Sequence, residues 1–362
     1  MERFERQISL AELGAAGQQK LRSARILVAG AGGLGCPAIL YLAAAGAGTI
    51  GVADGDRVSV SNLNRQILYG QDDIGRFKAS AAARFINERY PDVRVIAYDH
   101  PLTVENLPAL LPEYDLVIDG TDNFAARYMI NDATALFHKP LVYGAVYKLE
   151  GQLALFNAHE GSANYRDLYP EMPAPGEIPN CAESGVLGVL PGIIGTMQAA
   201  EAIKWITGIG QCLINRVLFY NLKDHSVYET TLSPQAGNRL KQPFTLKVFQ
   251  ETNYEMACAT ELNVGWKAAI QAAPRTPAIF VDIREPEEMP RWNDSRCLEI
   301  PIPHLLRQKD VLMQAETVFL FCQHGLRSQM IAGELRKIWN KVGIYSVKGG
   351  IAHPTSPVIT RY

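Results

Sequence analysis

The feature that most constrains this chain is the junction at residues 25–45. Arg25-Ile26-Leu27-Val28-Ala29 is a short apolar run, Gly30-Ala31-Gly32-Gly33-Leu34-Gly35 follows it directly, and an alanine- and leucine-rich stretch begins at Pro37. An apolar run, a Gly-x-Gly-x-x-Gly turn and a helix-forming stretch make a strand, a tight turn and a helix. The glycines let a phosphate approach the backbone at the helix N-terminus, and Asp54 follows ~20 residues later at a strand end, where it can bind a ribose hydroxyl. Taken alone such a turn can also serve only to pack a helix closely, and it does not say which nucleotide is bound.

Further apolar runs at 49–53, 93–97, 116–119 and 141–143 alternate with helical stretches, which implies a largely parallel sheet in an α/β, Rossmann-like domain. The run at 185–208 carries Gln198, Glu201 and Lys204, so it reads as a buried helix and not a bilayer span. A proline-rich loop at 169–179 precedes it. Periodicity lapses around Ser233-Pro234-Gln235-Ala236-Gly237-Asn238, and a second α/β alternation follows, with strands at 278–282 and 317–321 and a helix at 329–339. With 362 residues, two domains are the expectation. We place them at 1–235 and 275–362, with 236–274 as linker and start of the second domain.

A net charge of −2 without long charged runs argues against a dedicated nucleic-acid or membrane-surface binder. Six cysteines without a Cys-x-x-Cys pair favour free thiols in a reducing compartment, and the charged start Met1-Glu2-Arg3-Phe4-Glu5-Arg6 lacks the apolar core of a secretory signal. The expectation is a cytoplasmic protein.

Downstream of the glycine turn, Ser61-Asn62-Leu63-Asn64-Arg65-Gln66 combines amides and a guanidinium. Gly75-Arg76-Phe77-Lys78 puts a lysine at a helix start, and Thr121-Asp122-Asn123 follows an apolar strand. Two cations and a strand-end carboxylate suit a triphosphate with magnesium, whereas hydride transfer has no need of them. Taken singly, Arg65 and Lys78 read better as solvated surface residues.

Together with Asp54-Gly55-Asp56 and Asn180-Cys181-Ala182-Glu183-Ser184-Gly185-Val186-Leu187-Gly188, these motifs resemble, in order over residues 1–235, the MoeB/ThiF/HesA adenylyltransferases, relatives of ubiquitin-activating enzymes. The resemblance implies ATP and Mg2+ as cofactors on Gly30, Gly32, Gly33 and Gly35. Asp54 would hold the ribose, Asn62 and Lys78 would contact phosphates, and Asp122 would bind magnesium. Arg65 would act as an arginine finger and Arg6 would also reach the triphosphate, such groups arriving from the second subunit of a homodimer. The substrate it implies is the C-terminal Gly-Gly carboxylate of a small ubiquitin-like sulfur-carrier protein, converted to an acyl adenylate. Cys181 matches a family cysteine implicated in a thioester or acyl-disulfide step; from its residues alone it reads as a packing cysteine. Many relatives hold a structural zinc with two Cys-x-x-Cys pairs. Here Asn164 and Asp167 stand where the first pair would fall and no second pair follows, so no zinc is expected, and the loop at 162–179 is expected to be held by packing and to be more mobile.

In the second domain Phe321-Cys322-Gln323-His324-Gly325-Leu326-Arg327-Ser328 puts a cysteine after a buried strand and a basic residue at a helix start. Such a turn aims backbone N–H groups at the sulfur, which favours a thiolate or persulfide. The alternative is a core cysteine. Cysteine phosphatases space cysteine and arginine one residue further apart; the tighter ring suits sulfur. With Asp282-Ile283-Arg284-Glu285-Pro286 and Lys348-Gly349-Gly350-Ile351, the segment at 275–355 resembles a rhodanese domain, in which Asp282 and Arg284 read as structural and His324 as an exposed loop residue. The fusion implies that a persulfide on Cys322, charged by a donor such as a cysteine desulfurase, passes sulfur to the adenylated carrier. Rival readings are an NAD-dependent oxidoreductase on the same glycine turn and a non-catalytic dimeric scaffold for a ubiquitin-like protein.

Overall fold

The computed structural model describes residues 2–172, 185–239, 241–254, 263–272, 278–339, 342–353 and 356–358. The chain divides into two units, the first running to Tyr254.

The first unit is built on an eight-stranded sheet in the order β3-β2-β1-β4-β5-β6-β7-β8. Strands β1 (Arg25–Ala29), β2 (Thr49–Ala53), β3 (Arg94–Tyr98), β4 (Leu116–Asp119) and β5 (Leu141–Tyr147) are mutually parallel. Strands β6 (Glu150–Phe156), β7 (Arg216–Asn221) and β8 (Val227–Thr231) then continue it as an antiparallel meander. Counting helices of ten residues or more, α1 is Gly14–Ser23, α2 Gly35–Ala45, α3 Lys78–Arg89, α4 Phe124–Leu136 and α5 Val189–Thr207. The run that raised the question of a membrane span is α5, and among the described residues no helix is long and apolar enough to cross a membrane.

Strands buried on both faces explain why the parallel part reads as continuous apolar runs. Ile26, Val28, Ile50, Val52 and Ile118 enter a core with Leu42 and Ile39 of α2, while Leu27 and Val117 face a second core with Tyr128 and Ile130 of α4. Each such aliphatic side chain contributes about 2 kcal/mol when fully buried.

Register fixes the site. Ala29 pairs with both Ala53 and Asp119, so β1, β2 and β4 end flush, and the chain leaves β1 and β4 in opposite lateral directions. That is the crevice in which open α/β sheets bind ligands. Two positions of the turn there require glycine: Gly30 has φ of +90°, and a Cβ on Gly35 would lie 1.9 Å from the Gly30 carbonyl oxygen.

Two expectations are corrected here. Residues 236–254 are not linker: Phe249 and Tyr254 are buried in the core around α4, and short helices at Ala236–Arg239 and Leu246–Glu251 carry the chain there. The described part of the loop beginning at 162 is held by directed bonds and not by packing alone. Asp167 accepts hydrogen bonds from the Asn164 and Gln235 backbone N–H groups (3.0 and 2.8 Å) and from the Asn238 amide (3.4 Å). Tyr128 donates to the carbonyls of Tyr169 and Glu171. Residues 173–179 of that loop lie outside the described residues.

The second unit has a parallel sheet in the order β11-β10-β12-β13-β9, formed by β9 (Asn263–Val264), β10 (Ala278–Asp282), β11 (Cys297–Glu299), β12 (Thr317–Phe321) and β13 (Gly343–Val347). Helix α6 (Leu326–Ile338) follows β12. The unit thus includes residues before 275. Trp266, just after β9, is buried against Phe280, Trp292 and Phe321, and its indole N–H donates to the Gly350 carbonyl at 2.6 Å.

Candidate functional sites

A cavity of about 630 Å3 opens at the carboxyl ends of β1, β2 and β4. Gly30, Gly32 and Gly33 form one wall; a Cβ on Gly32 would meet nothing closer than the Gln66 amide at 3.8 Å, so this part of the turn is open to a ligand. Gly35 lies outside the lining and acts in the turn itself.

Asp54 closes the far side. One carboxylate oxygen accepts the Ala31 N–H and the other the Asp56 N–H, both at 2.8 Å, which ties the glycine turn to the end of β2. Burial pushes its pKa up, opposed by Lys78. Each oxygen keeps a lone pair for a hydroxyl donor.

Lys78 opens α3 and is only 6% exposed, with its ammonium 2.7 Å from Asp56 and its backbone N–H on the Asp56 carbonyl. A buried ammonium at a helix N-terminus is opposed by the helix dipole, so it is retained where an anion is to be met. Arg65 lines the cavity of its own chain, its Nη1 donating to the Ser61 carbonyl (2.9 Å) and the Asn64 side chain (3.0 Å). No second subunit is needed to bring it there. Asp122 is exposed on the lining just after β4, and Asn123 beside it caps α4 by accepting the Ala126 N–H.

Two candidates sit elsewhere. The Asn62 side chain accepts the Ser59 N–H and closes a local turn; Ser61 and Asn64 line the cavity in its stead. Arg6 is exposed on the short helix Glu5–Ile8, away from the lining. Conversely, Arg127 was missed. It is 7% exposed, lines the cavity from the first turn of α4 and donates to the Thr121 carbonyl at 3.0 Å. Behind it Asp119 is fully buried; burial pushes its pKa up, and Arg127 opposes the shift. The only sequence signal was that Arg127 lies one helical turn beyond Asn123.

Cys181 lies outside the described residues. Cys322, at the end of β12, is 1% exposed; its sulfur accepts the Gly325 N–H at 3.2 Å and the Ser328 hydroxyl at 3.7 Å. Gly325 has φ of +90°, and the segment after β13 clasps the loop from behind, Ile351 and Ala352 donating to the carbonyls of Cys322 and Gln323 at 2.9 Å. Arg284 is wholly buried, bidentate on Asp282, and anchors the Gln323 side chain at 2.7 Å. His324 is exposed. Among the described residues no three His, Cys, Asp or Glu side chains are grouped to hold a metal.

Comparison with known proteins decides the family: residues 4–240 match the ThiF family. The chain belongs to the ThiF family. Relatives of this ThiF chain extend past the family region. It is 38% identical to the probable adenylyltransferase/sulfurtransferase MoeZ of Mycobacterium tuberculosis, over 96% of this chain and 91% of that protein. It is 34% identical to the adenylyltransferase and sulfurtransferase MOCS3 of Aedes aegypti, over 94% and 83%. The sulfur carrier protein adenylyltransferase of Thermus thermophilus is 47% identical over 64% of this chain and 87% of its own length. Among solved structures, E. coli MccB shares the fold with a TM-score of 0.57 at 18% identity, covering 64% of this chain and 72% of MccB. This ThiF-family chain is therefore an ATP-using adenylyltransferase fused to a sulfurtransferase domain.

Proposed function

We propose that the first unit adenylates the C-terminal glycine carboxylate of a small ubiquitin-like sulfur-carrier protein, and that the second delivers sulfur to it from a persulfide on Cys322. The supporting observation is the convergence of a buried ammonium, Lys78, with Arg65 and Asp122 around an open glycine turn. A redox dinucleotide has no use for that charge set; a triphosphate has.

In this reading the carrier carboxylate attacks the α-phosphorus of ATP, the bond to the bridging oxygen breaks, and pyrophosphate leaves with the electron pair. Lys78 and Arg65 neutralise charge on the phosphates and hold them in line, and Asp54 accepts from the ribose. The cavity residues fit a magnesium ion on Asp122, which would supply further neutralisation of the phosphates. Asn62 supports the turn carrying Arg65, and Arg6 is assigned to the site of a second subunit in a homodimer. The terminal sulfur of the Cys322 persulfide then attacks the acyl carbon and expels AMP. A thiolate, Cys181 in this reading, takes the Cys322 sulfur, releasing the thiocarboxylate and leaving a disulfide for cellular thiols to reduce.

We read the enzyme as cytoplasmic and zinc-free, with a cysteine desulfurase as sulfur donor. Cys36, Cys212, Cys297 and Cys322 are unpaired thiols, as a reducing compartment maintains. ATP–pyrophosphate exchange in the presence of Gly-Gly-ending carriers tests the first step. Asp122→Ala should abolish exchange, while Cys322→Ala should abolish thiocarboxylate formation and leave exchange intact. Loss of both activities in Cys322→Ala would refute the division of labour.

A further inference from the structure

The Cys322 loop is surrounded by guanidinium groups that are already matched to carboxylates. Arg284 is bidentate on Asp282, and Arg291 donates to Asp282 at 2.9 Å and lies 3.9 Å from Glu299. Arg327, the second residue of α6, presents one terminal nitrogen to each oxygen of Glu288, the first at 2.8 Å and the second closer still. The Glu288 bonds are the chief reason that Arg327 holds its proton more firmly than usual; the nearby Cys322 sulfur adds to the effect. Arg327 thus has the sulfur on one side and a carboxylate fork on the other. Lys348, after β13, is exposed, and solvent and salt screen its charge.

A small sulfane donor such as thiosulfate is a dianion, and losing its water beside this loop demands an unmatched cation. A persulfide carried on a protein carries at most one charge at its reacting end, and draws its affinity from the protein surface around it. Bidentate guanidinium–carboxylate pairing is among the stronger charge-assisted contacts, so Arg327 is not given up freely.

We propose that Glu288 is a specificity-determining residue of the Cys322 site, holding Arg327 so that small dianionic sulfane donors are disfavoured against a persulfide borne by a protein. The proposal rests on Cys322 being the sulfur acceptor. The reaction is the same for both donors. The Cys322 thiolate attacks the outer sulfur, one S–S bond forms as the donor's bond to that sulfur breaks, and the electron pair leaves on a protein thiolate or on sulfite. No net oxidation occurs, so only recognition of the leaving group differs.

The test uses the full chain. Persulfide loading of Cys322 is followed by mass spectrometry with a cysteine desulfurase supplied with cysteine, and thiosulfate:cyanide sulfurtransferase activity is measured separately. Glu288→Gln should raise kcat/KM for thiosulfate about tenfold, mainly through KM, as expected when one charged hydrogen-bond partner is freed. The gain should shrink with added salt and vanish in Glu288→Gln combined with Arg327→Gln. Loading by the desulfurase should change less than about twofold, since its affinity lies elsewhere. An unchanged thiosulfate KM in a folded Glu288→Gln protein overturns the proposal, as does a gain that survives without Arg327. If wild-type Cys322 is loaded by neither donor, the sulfur-acceptor reading falls and this proposal with it; loading by the desulfurase without the Glu288→Gln gain removes the proposal alone.

Discussion

Lys78 shows how one side chain can be costly to keep and still be kept. Its ammonium is buried at a helix N-terminus, and the carboxylate that meets it, Asp56, is 75% exposed. Removing the charge leaves a solvated aspartate and frees a helix start from an unfavourable cation, so the fold has little reason to suffer. Lys78→Met should therefore lower ATP–pyrophosphate exchange by roughly a hundredfold or more while the thermal midpoint moves by only a few degrees; a large fall in midpoint would mean that the lysine is structural. Glu288 makes a prediction of another kind. Its hydrogen bonds to Arg327 hold its pKa down to about 2 from an ordinary 4.5. A carboxylate with a depressed pKa in the folded state stabilises fully above the unfolded value and loses that contribution as pH falls toward the folded one. The difference in urea midpoint between wild type and Glu288→Gln should then be constant near neutrality and narrow from about pH 5 to about pH 3. At this scale the sequence revealed residue types better than directions. Arg65, Lys78 and Asp122 stand out because motif spacing marks them, whereas the Asn62 side chain turns back onto the Ser59 N–H and leaves the lining to Ser61 and Asn64. Arg127 gave almost no signal, because an arginine in the first turn of a helix is ordinary until the sheet ends beneath it.

Among the elements, α4 does more than cover the sheet. Asp132 near its end is fully buried and accepts from both Nε and Nη2 of Arg166 (2.8 and 2.7 Å) and from the Tyr254 hydroxyl (2.7 Å). One carboxylate thus fastens α4 to the short helix Tyr165–Leu168 and to the last residue of the first unit. Asp132→Ala leaves an 11%-exposed guanidinium without its carboxylate, and should cost about 3–5 kcal/mol in denaturant unfolding of the first unit, the range for breaking a buried pair. Tyr254→Phe removes a single hydrogen bond to the same carboxylate and should cost about 1–2 kcal/mol. Equal losses for the two variants would show that the ion pair contributes nothing beyond the hydroxyl. The strands were far easier to foresee than this node. β1, β2, β4, β10 and β12 appear in the sequence as unbroken apolar runs because neighbours bury both their faces. β6 opens on Glu150-Gly151-Gln152 ahead of its apolar residues, and β8 is exposed along its whole length. Both close hairpins, β6 on β5 and β8 on β7, so they are defined by ladder pairing and not by the burial that an apolar run records.

For the molecule as a whole, the decisive fact is how the apolar cores are partitioned. Three clusters draw only on residues up to Tyr254 and two only on residues from Val264 onward; among the described residues no cluster mixes the two. The boundary was hard to read because Phe249 and Tyr254 return to the first core from short helices whose few turns show no periodicity, while Trp266 and β9 enter the second sheet before its first long apolar run. Where cores are separate, cooperativity is separate too, since the transition is carried by the burial that each core loses. The full chain should therefore unfold in two calorimetric transitions and not one. Only the transition of the first unit should move upward with ATP and magnesium, because a ligand stabilises the unit that binds it. Truncation after residue 254 should leave that transition and pyrophosphate exchange in place, whereas truncation after residue 235 should lower the transition, because it removes two buried aromatic side chains from the core around α4. If truncation at 254 were to abolish the nucleotide-dependent shift, the second unit would have to contribute to the stability or the site of the first, and independent folding of the two units would be refuted.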